Sequence, residues 1–357
     1  MTQRADELTK PVLTDEQLHR YEQAVVKGCQ WLLDRLQADG TFRARNHNLR
    51  CYLKSPLALL MAGEPRAAYA LLDTMKKKYL HPDGDFRTSS EVKYAADRFN
   101  QNGERNYYLY GNGWATISAH VNGRFDISYP ALAYLLPQQD PTTGGFFSSH
   151  HGGGIPPQRQ DVASTASCGY ALLFCGRAPE AARTGDFFLR LAELQSEPER
   201  FYLSLSPAGG VVDRFLEGEG SFRVVDQRQT KQPYWMLAYA AALLTKIHLS
   251  SKEQKYLDGA VRYFDFLTGC QPDFASFFGC WKVGWAGALL GIVLKDERRV
   301  RCAVSVLDYI VSAQEPEGYW DWGRGMGMGA ENDDWLFDLS SEMIIWLSEI
   351  PRILARG

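Results

Sequence analysis

The run Y-W-M-L-A-Y-A-A-A-L-L-T-K-I, residues 234–247, is apolar on every side. It is followed by E-Q-K-Y-L-D-G-A-V-R-Y-F-D-F-L, residues 253–267, which is apolar on one face and charged on the other. An all-round apolar helix is buried, whereas an amphipathic one covers a core and meets solvent. The same couple recurs in W-K-V-G-W-A-G-A-L-L-G-I-V-L (281–294) and E-R-R-V-R-C-A-V-S-V-L-D-Y-I-V (297–311). Alternation of this kind along a chain is a repeat signal.

Working outward, helical spacing predicts segments at about 15–36, 52–62, 65–79, 108–121, 128–136, 161–175, 179–195 and 338–354 besides those four. Thr14-Asp15-Glu16-Gln17 reads as a capping box at the first start. The expected fold is all-α: an (α/α)6 barrel of about twelve helices in two concentric rings. Residues 1–13 form a tail and 14–357 a single domain. Strand-like residues are confined to 201–212 and 222–225, and are expected as one small inserted β-hairpin.

A polar, aromatic or glycine-rich segment precedes each apolar helix. If the inner helices run parallel, these segments meet at one mouth with the free N–H groups of the helix starts. Such a mouth is where a pocket is expected. Tyr108, Tyr110, Trp114, Tyr234, Trp235, Trp281, Trp285, Trp320 and Trp322 lie at or near these positions, together with Arg159. They are the candidate substrate-binding residues, although core packing also explains buried tryptophans.

Of the 357 residues, 45% are hydrophobic and 23% charged, with a net charge of −3. No basic field points to nucleic acid, and no apolar run is long enough to span a membrane. The polar start lacks the apolar region of a secretory signal. Seven cysteines without a C-x-x-C pair read as buried thiols, hence a cytoplasmic location. The expected partner is a hydrophobic small molecule.

Two helix ends carry a further pattern: Gln37 and Gly40 after Trp31-Leu32, and Gln314, Gly318 and Trp320 after Tyr309-Ile310. The second matches the Gln…Gly-x-Trp repeat of squalene cyclases, and Phe266-Leu267…Gln271 is a partial copy. The chain therefore resembles the terpenoid-cyclase and protein-prenyltransferase α/α toroid. In that resemblance the glutamine bonds exposed backbone at a helix end and ties one helical hairpin to the next.

Q-D-V-A-S-T-A-S-C-G-Y-A-L-L-F, residues 160–174, resembles the D-x-D-D-T-A acid motif of class II terpene cyclases, with a departure. Asp161 remains, but Ala163 and Ser164 replace the paired carboxylates. An alkene-protonating acid needs partners that stabilise its conjugate base, so the resemblance does not carry that activity over. Asp161 reads as a helix cap or as an orienting group for His150, His151 or Arg159. Ser164 reads as the N-cap of a helix beginning at Thr165. Glu331-Asn332-Asp333-Asp334 is the other near match, and Asp333 and Asp334 are candidate catalytic carboxylates or a solvated cap cluster. His150 and His151 are candidate bases or hydrogen-bond donors, or a loop at the rim.

No D-D-x-x-D occurs. The F-F-G-C-W segment around Cys280 resembles the zinc segment of prenyltransferases but has Phe278 where the aspartate stands, with no histidine after His248. Neither a metal nor another cofactor is expected.

The functional expectation is a natural-product cyclase or isomerase working without diphosphate ionisation. A pericyclic closure of the Diels–Alder type is the finer expectation, as in cofactor-free cyclases of the norbornene-synthase kind. There the protein supplies a reactive conformer and hydrogen bonds to an activating carbonyl. Two other readings stand beside it: a carbohydrate hydrolase, lyase or epimerase on the same barrel, and a non-catalytic lipid-binding toroid.

Overall fold

The computed structural model describes residues 12–45, 47–89, 93, 107–147, 159–215, 223–322 and 333–356. His150 and His151 lie outside the described residues.

Six helical hairpins make the barrel. The outer helices are α1 (Asp15–Leu33), α4 (Pro65–Lys78), α6 (Phe125–Leu135), α8 (Ala178–Glu193), α10 (Gln254–Thr268) and α12 (Glu297–Ser312). The inner ones are α3 (Ser55–Met61), α5 (Tyr110–Val121), α7 (Val162–Phe174), α9 (Tyr234–Ser251), α11 (Cys280–Leu294) and α13 (Asp334–Leu354). A four-residue helix, α2 (Arg50–Leu53), leads into α3 and is set off from it by Lys54. The inner ring closes: α3 packs on α5, α5 on α7, α7 on α9, α9 on α11, α11 on α13 and α13 back on α3. This is the (α/α)6 toroid that the pairing of apolar and amphipathic runs requires. Among the described residues, no helix is long and apolar enough to cross a membrane.

Small residues let the inner helices approach. A Cβ placed on Gly113 of α5 would stand 2.3 Å from Ser167 Oγ of α7, so only glycine fits there. The expected tie between hairpins is present as well. Gln314 Nε2 donates to Ala24 O of α1 at 2.9 Å and to Gly318 O at 2.8 Å. Gly318 has φ +101°, and a Cβ there would lie 2.5 Å from Lys27 O. The Trp320 indole donates to Ile310 O at 2.8 Å and its ring packs against Gly28. It is fully buried behind α1, as part of this tie.

Two local expectations are corrected. The strand residues do not form one hairpin. β2 (Arg200–Tyr202) pairs antiparallel with β4 (Val224–Asp226), whereas β3 (Ser204–Leu205) pairs with β1 (Gln160–Asp161) ahead of α7. The buried backbone before α7 needs partners of its own, and β3 provides them. The helix α7 begins at Val162, within the expected 161–175 segment but three residues before the start at Thr165 that Ser164 as N-cap implied. Its N-cap is Asp161, whose Oδ1 accepts the Ser164 N–H at 2.7 Å; Ser164 lies inside the first turn. A carboxylate can reach the N3 amide from the cap position, and this places the helix start at Asp161.

Candidate functional site

The inner helices present their N-terminal ends to one mouth. Lys54 at the start of α3, Tyr110 of α5, Trp235 of α9, Trp281 and Lys282 of α11, and Asp338 and Glu342 of α13 all meet there.

Deepest on the axis is a layer of rings. Trp114 of α5, Tyr170 of α7, Tyr239 of α9, Trp285 of α11 and Trp346 of α13 contact one another, with Trp285 and Trp346 centroids 4.7 Å apart and Tyr170 and Trp285 5.1 Å apart. All five are buried. The indoles of Trp114 and Trp285, candidate substrate contacts from the sequence, thus belong to a packed aromatic floor.

Next to the floor stands a buried charge layer that the sequence reading did not single out. Lys54 Nζ lies 2.9 Å from Asp338 Oδ2 and 3.3 Å from Glu342 Oε1. Lys282 Nζ lies 2.7 Å from Glu342 Oε1, and the Tyr110 hydroxyl donates to the same oxygen at 3.5 Å. Both lysines, Asp338 and Glu342 are buried. Two cations and two carboxylates balance. Burial by itself would raise the Glu342 carboxyl, but the Lys282 and Lys54 charges overcome it and hold it below the usual range. Desolvation, partly offset by Glu342, brings the Lys282 amine down to about 8.

Lys282 also sits among five rings. Its Nζ is 5.4 Å from the centroids of Trp235 and Tyr239, 5.6 Å from Trp281, 5.9 Å from Trp114 and 6.0 Å from Trp346. The aromatic box at the centre of the barrel therefore already holds a cation, supplied by the chain. The signal for this layer was present in the sequence. Lys54, Lys282, Asp338 and Glu342 are lone charges in otherwise apolar runs, and such charges are rarely buried unless paired.

Asp161 forms the second polar centre. It is 3% exposed, and its Oδ2 has no hydrogen-bond partner. Burial raises its pKa; the Ser164 bonds and the Arg223 and Arg159 charges offset this only in part. The carboxyl also raises the nearby Tyr107 phenol further, beyond the effect of burial. Tyr107 and Tyr110 both pack edge-on against Trp235, at 6.3 and 6.1 Å, so one indole borders both polar centres.

The remaining candidates have other partners. Asp334 pairs with Arg50 at 3.3 Å and accepts from Asn48 at 3.0 Å. Asp333 accepts the Arg45 N–H at 2.7 Å and borders a surface basin of about 440 Å³ lined by Arg35, Arg43 and Arg45. The Tyr108 hydroxyl donates to Asp85 Oδ2 at 2.5 Å, in a buried network with Lys93 and Asn112. The Tyr234 hydroxyl donates to Asp273 Oδ1 at 2.9 Å. Trp322 packs on Trp281 at 5.2 Å, at the outer side of the lysine box. Among the described residues, no three His, Cys, Asp or Glu side chains gather in a way that could hold a metal ion.

No family model and no curated protein matches this chain. Solved structures match in architecture. A type II terpene cyclase, MstE from Scytonema, in complex with geranylgeranyl dihydroxybenzoate, superposes with a TM-score of 0.57 at 13% identity, over 96% of this chain and 100% of that one. A D-mannose isomerase gives 0.62 at 13% identity, over 91% and 97%. A GH76 α-mannanase from Bacteroides thetaiotaomicron gives 0.61 at 13% identity, over 94% and 96%. The protein is thus an α/α toroid, an architecture shared by cyclases, sugar isomerases and glycoside hydrolases. At these identities the likeness defines the fold and leaves the reaction to be argued from the site.

Proposed function

We propose that this toroid is a cyclase or isomerase for an apolar small molecule bearing a carbonyl, acting without a carbocation intermediate. The observation that carries the reading is Lys282 in the aromatic box. In a carbocationic cyclisation, electron-rich rings surround the migrating positive charge. Here those rings surround an ammonium. A substrate cation entering this box gives up its hydration, and roughly 6 Å from Lys282 it feels about 3 kcal/mol of repulsion from that ammonium taken by itself at an effective dielectric constant of about 20. Glu342, 2.7 Å from Lys282, cancels part of that repulsion, but the two lysines balance Asp338 and Glu342, so the cluster has no surplus negative charge to offset the lost hydration of a substrate cation.

A neutral substrate meets no such penalty. The apolar walls exclude water and fix its conformation, and the polar groups at the mouth donate to a carbonyl oxygen. This polarises an adjacent double bond for an intramolecular closure. A pericyclic closure is the finer form of the reading, because it needs a held conformer and a hydrogen bond and no net proton transfer. The fold supports a carbohydrate enzyme equally. Of the four carboxylates open to that reading, however, Asp333, Asp334 and Asp226 are engaged with arginine or backbone partners, which leaves Asp161, whereas a glycosidase works with a pair of carboxyl groups across the scissile bond.

Binding followed by tryptophan fluorescence tests this with three probes: farnesylacetone, N,N-dimethylfarnesylamine and α-1,6-mannotriose. The neutral ketone should bind more tightly than the ammonium, which must give up its hydration without gaining a free carboxylate. Mannotriose should not bind. Preference for the ammonium would overturn the reading in favour of a carbocationic cyclase. Saturable mannotriose binding would overturn it in favour of a carbohydrate enzyme.

A further inference from the structure

Three buried polar atoms meet at the start of α7 with no hydrogen-bond partner: Asp161 Oδ2, Ser164 Oγ and Ser204 Oγ. Their residues are 3%, 0% and 1% exposed. They are brought together by independent elements. Asp161 is the N-cap of α7, Ser164 lies in its first turn, and Ser204 is on β3 as the cross-strand partner of Asp161. Directly opposed residues of an antiparallel pair project to the same side, with Cβ atoms about 5 Å apart. Ser164 is joined to the same carboxyl through its N–H, at 2.7 Å. Nearly all buried polar atoms in folded proteins find a partner, so three unpaired ones at one place mark a group to be supplied from outside.

We infer that Asp161, Ser164 and Ser204 form a subsite for one neutral oxygen-bearing group of a ligand, a carbonyl or a hydroxyl. A hydroxyl can donate as well as accept, so the two serines suit either group. Next to Asp161 a ligand hydroxyl donates to Oδ2, and a ligand carbonyl accepts from the serines and, while that carboxyl is protonated, from Asp161. An apolar fragment leaves all three atoms unpaired and gains nothing from them. The subsite rests on the proposed function only for the larger molecule that carries the oxygen; its recognition of the oxygen stands by itself.

The experiment uses the full chain and its Ser164→Ala, Ser204→Ala and double variants. Ser204 Oγ has no hydrogen-bond partner, and Ser164 Oγ lies only close enough to the Asp161 carboxyl to steady its charge, so the variants should melt close to the temperature of the parent. Cyclohexanone, cyclohexanol and methylcyclohexane serve as fragments in ligand-observed saturation-transfer NMR, and farnesylacetone serves as the long probe. Cyclohexanone, cyclohexanol or both should bind the parent and weaken by roughly fivefold per hydroxyl removed, about the value of one hydrogen bond. Methylcyclohexane should be indifferent to the substitutions. The arm that responds, ketone or alcohol, identifies the oxygen. The carboxyl stretch that Asp161→Asn removes from infrared difference spectra should shift when the responding fragment is added. If the fragments bind as expected and farnesylacetone does not, the subsite stands and the proposed function falls. If neither oxygenated fragment distinguishes the parent from the double variant, the three atoms face water only and the subsite is overturned.

Discussion

Lys282 and Glu342, on neighbouring inner helices, form a 2.7 Å ion pair in which both side chains are almost completely buried. Lys54 shares the same carboxylate at 3.3 Å. Removing one partner of such a pair leaves the other charge stranded, which costs about 3–5 kcal/mol. Glu342→Gln should therefore lower the urea midpoint strongly. Lys282→Met combined with Glu342→Gln should recover part of the loss, because the substituted pair no longer strands a charge at that position. A double variant no more stable than Glu342→Gln alone would show that the pair is not the unit described.

The same lysine sets a pH dependence. Its folded-state value, about 8, lies below that of an exposed lysine, about 10.4. Between these values Lys282 binds more proton in the unfolded chain than in the folded one, so its own contribution to stability rises with pH. The seven cysteines contribute in the opposite direction, because burial raises their thiols in the folded state. Lys93, brought to about 8 by burial despite Asp85, adds in the same direction as Lys282. Near pH 10, ionisation of tyrosines in the unfolded chain adds to the cysteine effect, since burial raises the phenols of Tyr110, Tyr170 and Tyr239 in the folded state. Urea unfolding from pH 7.5 to 9.5 checks this. The test is the difference between parent and Lys282→Met: the midpoint of the variant should lose ground to that of the parent as pH rises, and parallel curves would contradict the assignment.

Asp161→Asn should be nearly silent in thermal stability, because asparagine caps a helix about as well as aspartate, whereas Asp161→Ala should cost about 1 kcal/mol. The amide also retains a donor where Oδ2 stands. Under the proposed function, Asp161→Asn therefore keeps measurable turnover on the native substrate. Complete loss of turnover, with solvent deuterium entering a new C–H bond, would assign proton donation to Asp161.

The aromatic floor should be costly to open. Trp285 contacts Tyr170, Tyr239 and Trp346 and has no exposed surface. Trp285→Ala should destabilise by about 3–5 kcal/mol. The cavity it leaves should bind a small apolar ligand such as benzene, seen as a rise in melting temperature that the parent does not show.

Probe binding should survive prolonged EDTA treatment, as should activity once it is assayed. A loss restored by zinc or magnesium would place a metal in the site.

The alternation of the 234–247 and 253–267 runs was enough to predict the two-ring barrel, because burial on all sides and burial on one side leave different residue patterns. The glutamine tie was also legible: Gln314, Gly318 and Trp320 form a short motif at one helix end, although the backbone they meet, at Ala24 and Lys27 of α1, lies at the other end of the chain. Asp161 was visible as a polar residue opening an apolar run. The exact helix start was not, because the choice between Asp161 and Ser164 as cap depends on which side chain reaches an unpaired N–H. Tertiary structure alone decided the chemistry of the centre. Lys54, Lys282, Asp338 and Glu342 stand on three separate inner elements, and each alone reads as an isolated charge in an apolar segment. Closing the ring brings them within hydrogen-bonding distance, sets Lys282 among five rings, and places Ser204 opposite Asp161. Local sequence carries the period of burial, but the partner of a buried charge is fixed only when distant helices meet in one low-dielectric interior.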